Sequence, residues 1–225
     1  MRFDVLTLFP ELIEHICAQS IIGRAQKAGL LSVYAHDIRA YSTDKHRRVD
    51  DTPYGGGKGM LMAAPPVVAC YEDVRRQAEN ENCKTIYLSP KGRVLTQQYA
   101  AELAKCDRLI LLCGHYEGID ERAIREIGAQ ELSVGDFVLT GGELPACMLI
   151  DCVGRLIDGV LADESCFTEE SIASGLLEYP QYTRPEVFRG ARVPQVLLEG
   201  NHEEIRRWRY PAALEETKKK RPDLL

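Results

Sequence analysis

Residues 108–114, Arg-Leu-Ile-Leu-Leu-Cys-Gly, place apolar side chains at every position from Leu109 to Cys113. A strand sends successive side chains to opposite faces, so an unbroken apolar run must be covered on both. Strands of this kind separated by helices imply a parallel sheet between two helical layers. The surrounding sequence supplies both. RFDVLTLF (2–9) and LLSVYAHDI (30–38) predict strands, and ELIEHICAQSIIGRAQKAG (11–29) predicts one helix between them. PPVVACYEDVRRQAE (65–79) predicts a helix, with Val67, Val68, Tyr71 and Val74 near helical spacing. A short strand TIYLSP stops at Pro90, and 96–105 predicts another helix. The first two-thirds of the chain is therefore α/β.

In such sheets ligands bind outside the carboxyl ends of the strands. Three glycine-rich or small-residue loops follow strands: 87–92 (YLSPKG), 113–122 (CGHYEGIDER) and 133–145 (SVGDFVLTGGELP). Neither G-x-G-x-x-G nor G-x-x-x-x-G-K-[ST] occurs, so the two familiar nucleotide fingerprints are absent. Residues 39–62 are polar and glycine-rich, and too long for an ordinary connection. After the third loop, 143–161 predicts a long apolar helix carrying one basic residue, Arg155. The following ADESCFTEESIASG has the composition of a mobile linker, and GNHEEIRRWR predicts a helix capped at Gly200 or Asn201. The expected domains are 1–160, a linker at 161–175, and a small helical domain at 176–225.

At 225 residues the chain can bury a core without disulfides or a structural metal. Its 8 cysteines form no Cys-x-x-Cys pair, and several sit in apolar runs as small hydrophobes, so no metal site is expected. The amino terminus is interrupted by Asp4, Pro10 and Glu11 and lacks the apolar core of a signal peptide. No segment reaches the ~20 apolar residues that cross a bilayer. Cytoplasmic residence with reduced thiols is the expectation. A net charge of −6 argues against an indiscriminate nucleic-acid binder. Positive charge is concentrated late, in Arg184, Arg189, Arg192, Arg206, Arg207, Arg209 and the run Lys218 to Arg221, as a basic face for a polyanion would require.

VDDTPYGGGKGM, LSPKGR, CGHYEGIDER, SVGDFVLTGGELPA, LLEYPQYTRP and GNHEEIRRWR occur in that order along almost the whole chain. Together they resemble the bacterial tRNA (guanine-37-N1)-methyltransferases of the knotted SPOUT class. The resemblance implies a homodimer, a deep trefoil knot in the amino-terminal domain, and S-adenosylmethionine bent among three crossing loops. It further implies that the carboxy-terminal domain grips the anticodon stem and loop of tRNA, and that each active site draws on both subunits. A magnesium requirement is admitted by the same likeness, although the sequence shows no arranged carboxylate cage.

By this resemblance, Gly114 and the run Val134, Gly135, Asp136, Phe137, Val138 and Leu139 form the core of the cofactor contact. Gly141, Gly142, Pro145, Tyr87, Leu88, Ser89, Tyr116 and Glu117 complete it. Glycine loops let backbone groups approach an adenosyl ligand closely. Transfer to N1 of guanine needs a general base for the N1 proton and a cation for charge developing at O6. The family uses a linker aspartate and an arginine for these roles. Arg155 matches the arginine; at the aspartate position stands Glu170, beside Glu169. Arg184, Arg206, Arg207 and Arg209 are the expected tRNA contacts, with Trp208 either stacking on RNA or packed in the core. His115 and Lys58 depart from the common pattern, and His115 is read as a rim residue. Two alternatives stay open: a knotted methyltransferase acting on another RNA position, and a non-catalytic RNA-binding protein that lost chemistry with the Asp to Glu change.

Overall fold

The computed structural model describes residues 1–162, 170–172 and 174–225. By contacts they fall into two compact units, Met1–Ala162 and Asp163–Leu225. In the first unit the strands are β1 (Arg2–Thr7), β2 (Ser32–Asp37), β3 (Asp50–Asp51), β4 (Leu61–Met62), β5 (Cys83–Val94), β6 (Arg108–Cys113) and β7 (Gln130–Ser133). Its helices are α1 (Pro10–Cys17), α2 (Ser20–Lys27), α3 (Ala64–Arg76), α4 (Gln97–Leu103), α5 (Glu121–Ile127) and α6 (Glu143–Gly154). Five strands form one sheet in the order β2-β1-β6-β5-β7, and every pairing in it is parallel. The expected parallel α/β architecture is therefore present.

Alternation along the central strands divides the interior in two. Phe3, Val5, Leu109, Leu111 and Cys113 join a core with residues of α1, α2, α4 and α6. Leu6, Ile110 and Leu112 point the other way, into a core with Val67 and Val74 of α3 and Ala123 and Ile127 of α5. Each fully buried leucine or isoleucine of β6 contributes on the order of 2 kcal/mol.

Several local expectations are corrected. The helix expected over 11–29 is two helices, because the chain turns at Ala18 and Gln19 and Ser20 takes a φ of 52°. Pro90 does not end β5. The ladder pauses between Leu88 and Arg93, both of which pair with Leu132, so the proline lies in a bulge that needs no N–H from it. The long apolar helix stops at Gly154 rather than at 161, which makes Arg155 its carboxyl cap residue. Helix α5 and strand β7 were not anticipated. Yet Asp120 accepts from the Arg122 N–H at the start of α5, and Gly128 ends it with a φ of 67°.

Within the second unit, strands β8 (Val187–Phe188) and β9 (Ala191–Arg192) form a hairpin, and α7 spans His202–Lys220. Asn201 caps α7 by accepting from the N–H groups of Glu203 and Glu204. Much of the expected linker, Glu169 included, lies outside the described residues.

The fully buried carboxylate of Asp4 on β1 is the electrostatic knot of the sheet. Arg2 donates to it at 2.9 Å, His36 Nε2 lies 2.7 Å away, and Arg108 Nη1 completes the ion cluster at 3.4 Å. Burial pushes the Asp4 carboxyl upward, but the hydrogen bonds from His36 and Arg2 outweigh it and leave the group below its usual range. The folded state thus binds the Asp4 proton less readily than the unfolded chain does. Its stabilisation is complete above about pH 4 and drains away as pH falls further. Asp4→Asn is expected to cost about 2–4 kcal/mol near neutrality, because partly exposed Arg2 and buried Arg108 lose their shared carboxylate while Arg108 keeps Glu81. It should also flatten the acid limb of stability in denaturant unfolding followed from about pH 3 to pH 7.

Candidate active site

Three strand-ending loops meet at the carboxyl edge of the sheet. The first is the β5 bulge, where Ser89 Oγ donates to Glu131 Oε2 at 2.6 Å and accepts from the Lys91 N–H. The second follows β6. Gly114 accepts from the Gly142 N–H at 2.8 Å, and His115 bridges to Gly141, so the third loop lies directly across the second. The long polar segment supplies an edge: Glu117 N–H donates to Met60 O, and Met62 N–H to Gly118 O. The third loop turns at Ser133, whose Oγ donates to Gly135 O, and the Phe137 ring lies over Gly135.

Glycine is required where the loops touch. A Cβ on Gly142 would stand 2.7 Å from Cys113 Cα, and one on Gly114 would stand 2.9 Å from the Tyr87 hydroxyl. Burial and the nearby Glu131 push the Tyr87 phenol up to about 12, so it stays protonated at physiological pH.

The three loops enclose a cavity of about 400 Å³. Its walls alternate apolar groups, such as Leu88, Phe137, Val138 and Leu139, with backbone amides of the glycines. The charged lining residues are Glu117, Glu121, Glu131 and Lys91, so carboxylates outnumber the single ammonium three to one. Such a wall favours a cationic ligand with an apolar ring system.

Every residue expected at the cofactor lines this cavity except Asp136, which is exposed beside it. His115 lines it as well, its ring between those of Phe9 at 5.1 Å and Tyr116 at 4.9 Å. Sequence reasoning missed Leu61, Glu131 and Thr140 in the wall. Glu131 sits on the unanticipated β7, and only its pairing with Ser89 brings it to the site.

Arg155, half-buried, belongs to the first unit, and Glu170, also half-buried, to the second. Of the expected tRNA contacts, Arg184 is exposed and Arg206 donates weakly to His202 O at 3.4 Å. Arg207 pairs with Glu203 one turn earlier in α7. The Arg209 guanidinium lies 4.8 Å from the centre of the Tyr179 ring, and Trp208 packs edge-on against that same ring. Trp208 is half-buried, an internal packing partner as well as an aromatic side chain. Among the described residues, no group of three or more His, Cys, Asp or Glu side chains could hold a metal ion. Likewise, no described helix is long and apolar enough to cross a membrane.

Sheet and cavity together define an α/β protein whose cavity, at the carboxyl ends of parallel strands, suits a small, partly apolar, cationic ligand. The profile of the tRNA (Guanine-1)-methyltransferase TrmD family matches residues 1–225, and the chain belongs to that family. Its relatives include the tRNA (guanine-N(1)-)-methyltransferase of Ruminiclostridium cellulolyticum, 58% identical over 100% of this chain and 96% of that protein. The namesake from Caldanaerobacter subterraneus is 57% identical over 100% of this chain and 92% of that protein, and the one from Lachnospira eligens is 54% identical over 100% and 94%. The chain is an enzyme of the S-adenosylmethionine-dependent tRNA (guanine-N1)-methyltransferase class.

Proposed function

We propose that the protein methylates N1 of guanine at position 37 of tRNA, next to the anticodon, and that the three-loop cavity holds S-adenosylmethionine. The observation that carries this reading is the cavity's chemistry. Close-packed glycines bare the backbone for hydrogen bonding to adenosine, apolar side chains suit its purine, and the carboxylates Glu117, Glu121 and Glu131 suit a sulfonium. When bound, S-adenosylmethionine supplies an electrophilic methyl group.

The remaining work falls to side chains of this protein. Glu170 accepts the proton from guanine N1, which frees the nitrogen lone pair for attack. Arg155 places its guanidinium by O6, where negative charge accumulates as that proton leaves. Glutamate extends one methylene further than aspartate and carries the same acid–base chemistry. Exposed Arg184, Arg206 and Arg207 meet tRNA phosphates, while Arg209 orders Tyr179 and Trp208 behind them.

The tight crossing of the second and third loops fits a trefoil knot in the amino-terminal domain. Dimerisation is supported by α1 and α6, which pack together and leave Leu12, Ile16, Leu144 and Met148 each at least 40% exposed. A second copy of this chain is the occupant we assign to that face, and the cytoplasm is the compartment we assign to the enzyme.

The test is methylation of a defined tRNA transcript with labelled S-adenosylmethionine, followed by nucleoside identification. The expected product is N1-methylguanosine at position 37, lost when that guanosine is changed to adenosine. Label on another nucleoside would overturn the reading. Affinity for the transcript should fall steeply as salt rises, since each phosphate contact releases a counterion.

A further inference from the structure

Behind the cavity wall lies a buried carboxylate that the proposed mechanism does not use. Glu143 opens α6 and is 5% exposed. Thr7, at the carboxyl end of β1 and fully buried, donates its hydroxyl to Glu143 Oε1 at 2.8 Å, and the same hydroxyl accepts from the Phe9 N–H. The other carboxylate oxygen reaches toward Gly141. A Cβ built there would stand 2.4 Å from Glu143 Oε2 and 2.7 Å from His115 Nδ1, so the two polar atoms close on one point. His115 Nδ1 is itself buried and without a hydrogen-bond partner, while its residue bridges to Gly141 and lines the cavity. Taking a carboxyl group out of water is costly unless its oxygens find partners, and here Thr7 supplies one.

We propose that Glu143 is a positioning residue for the cofactor cavity. Anchored by Thr7, its second oxygen occupies the space beside Gly141 that His115 also faces, and so holds the second loop against the third. This inference rests on the cofactor reading above. Glu143 does not line the cavity, and it acts through His115 and Gly141. Removing its charge or its anchor loosens the walls without touching the base or the arginine assigned to the chemistry. Affinity for S-adenosylmethionine therefore weakens, while turnover at saturating cofactor is spared.

The test compares Thr7→Val, which keeps volume but removes the hydroxyl, with Glu143→Gln, which keeps the shape and loses the charge. Both are checked for wild-type thermal unfolding without ligand. Calorimetry of S-adenosylmethionine binding and steady-state kinetics then give the result. Kd and KM for S-adenosylmethionine should rise about tenfold in each, with kcat within about twofold and KM for tRNA unchanged. Glu143→Gln combined with His115→Asn should cost no more than the worse single change, because the two residues act as one unit. Additive losses, unchanged cofactor affinity in both single variants, or a fall in kcat at constant KM would overturn the proposal. Failure of the unaltered protein to bind S-adenosylmethionine would overturn the cofactor reading itself, and this inference with it.

Discussion

Glu170→Gln is expected to lower kcat by about 10²- to 10⁴-fold while leaving S-adenosylmethionine affinity unchanged. The amide matches the carboxylate in size and cannot take the N1 proton, so the loss should appear in the chemical step. Glu169→Gln, one residue away, should stay within about twofold of the native enzyme. The dependence of kcat on pH gives a second reading. The native enzyme should gain rate as its base ionises, and that limb should vanish from the residual activity of Glu170→Gln. Glu170→Asp should recover much of the rate, since the shorter acid has the same chemistry. If Glu169→Gln carries the loss instead, the role of base moves to Glu169.

Gly142→Ala should disrupt the cavity. The added methyl would meet Cys113 Cα at 2.7 Å and Gly114 N at 3.0 Å, both main-chain atoms at the end of β6. No flexible side chain can yield there, and the Gly142 N–H bond to Gly114 O holds the approach in place. Cofactor affinity should fall at least about a hundredfold, and denaturant unfolding should show about 2–4 kcal/mol of destabilisation. Gly29→Ala is the control. Nothing lies near a Cβ at that position, so only its φ of 73° opposes the change. It should cost about 1 kcal/mol and leave cofactor binding intact. Native affinity in Gly142→Ala would mean that the second and third loops are free to separate.

The sheet was readable because β6 is apolar throughout, and a strand of that kind tolerates water on neither face. The loops that line the cavity are readable for a related reason, since glycines stand where their backbones pass close to one another. What escaped was structure made by partners distant in sequence. Nothing local to Ala18, Gln19 and Ser20 announces a break, because the residues on either side share one amphipathic pattern. Pro90 reads as a stop until Leu88 and Arg93 are seen to share Leu132. Helix α5 has an Asp120 cap and a Gly128 end that its sequence does display, but its seven residues are too few for periodicity to rise above the loop around it. In the sequence Arg209 is one more basic side chain of the last helix. Only the position of Tyr179, thirty residues earlier, shows that it is stacked.

The strand order has a consequence for how the chain acquires its shape. β1 must wait for β6, paired with it through Arg2 and Arg108, before the middle of the sheet can form. Such distant pairings slow folding, and until they form the greasiest segment of the molecule has no shelter. During synthesis the first β-α elements emerge well before the strand they need. The nascent protein is therefore expected to depend on chaperones, or on low temperature, more heavily than its finished stability would suggest.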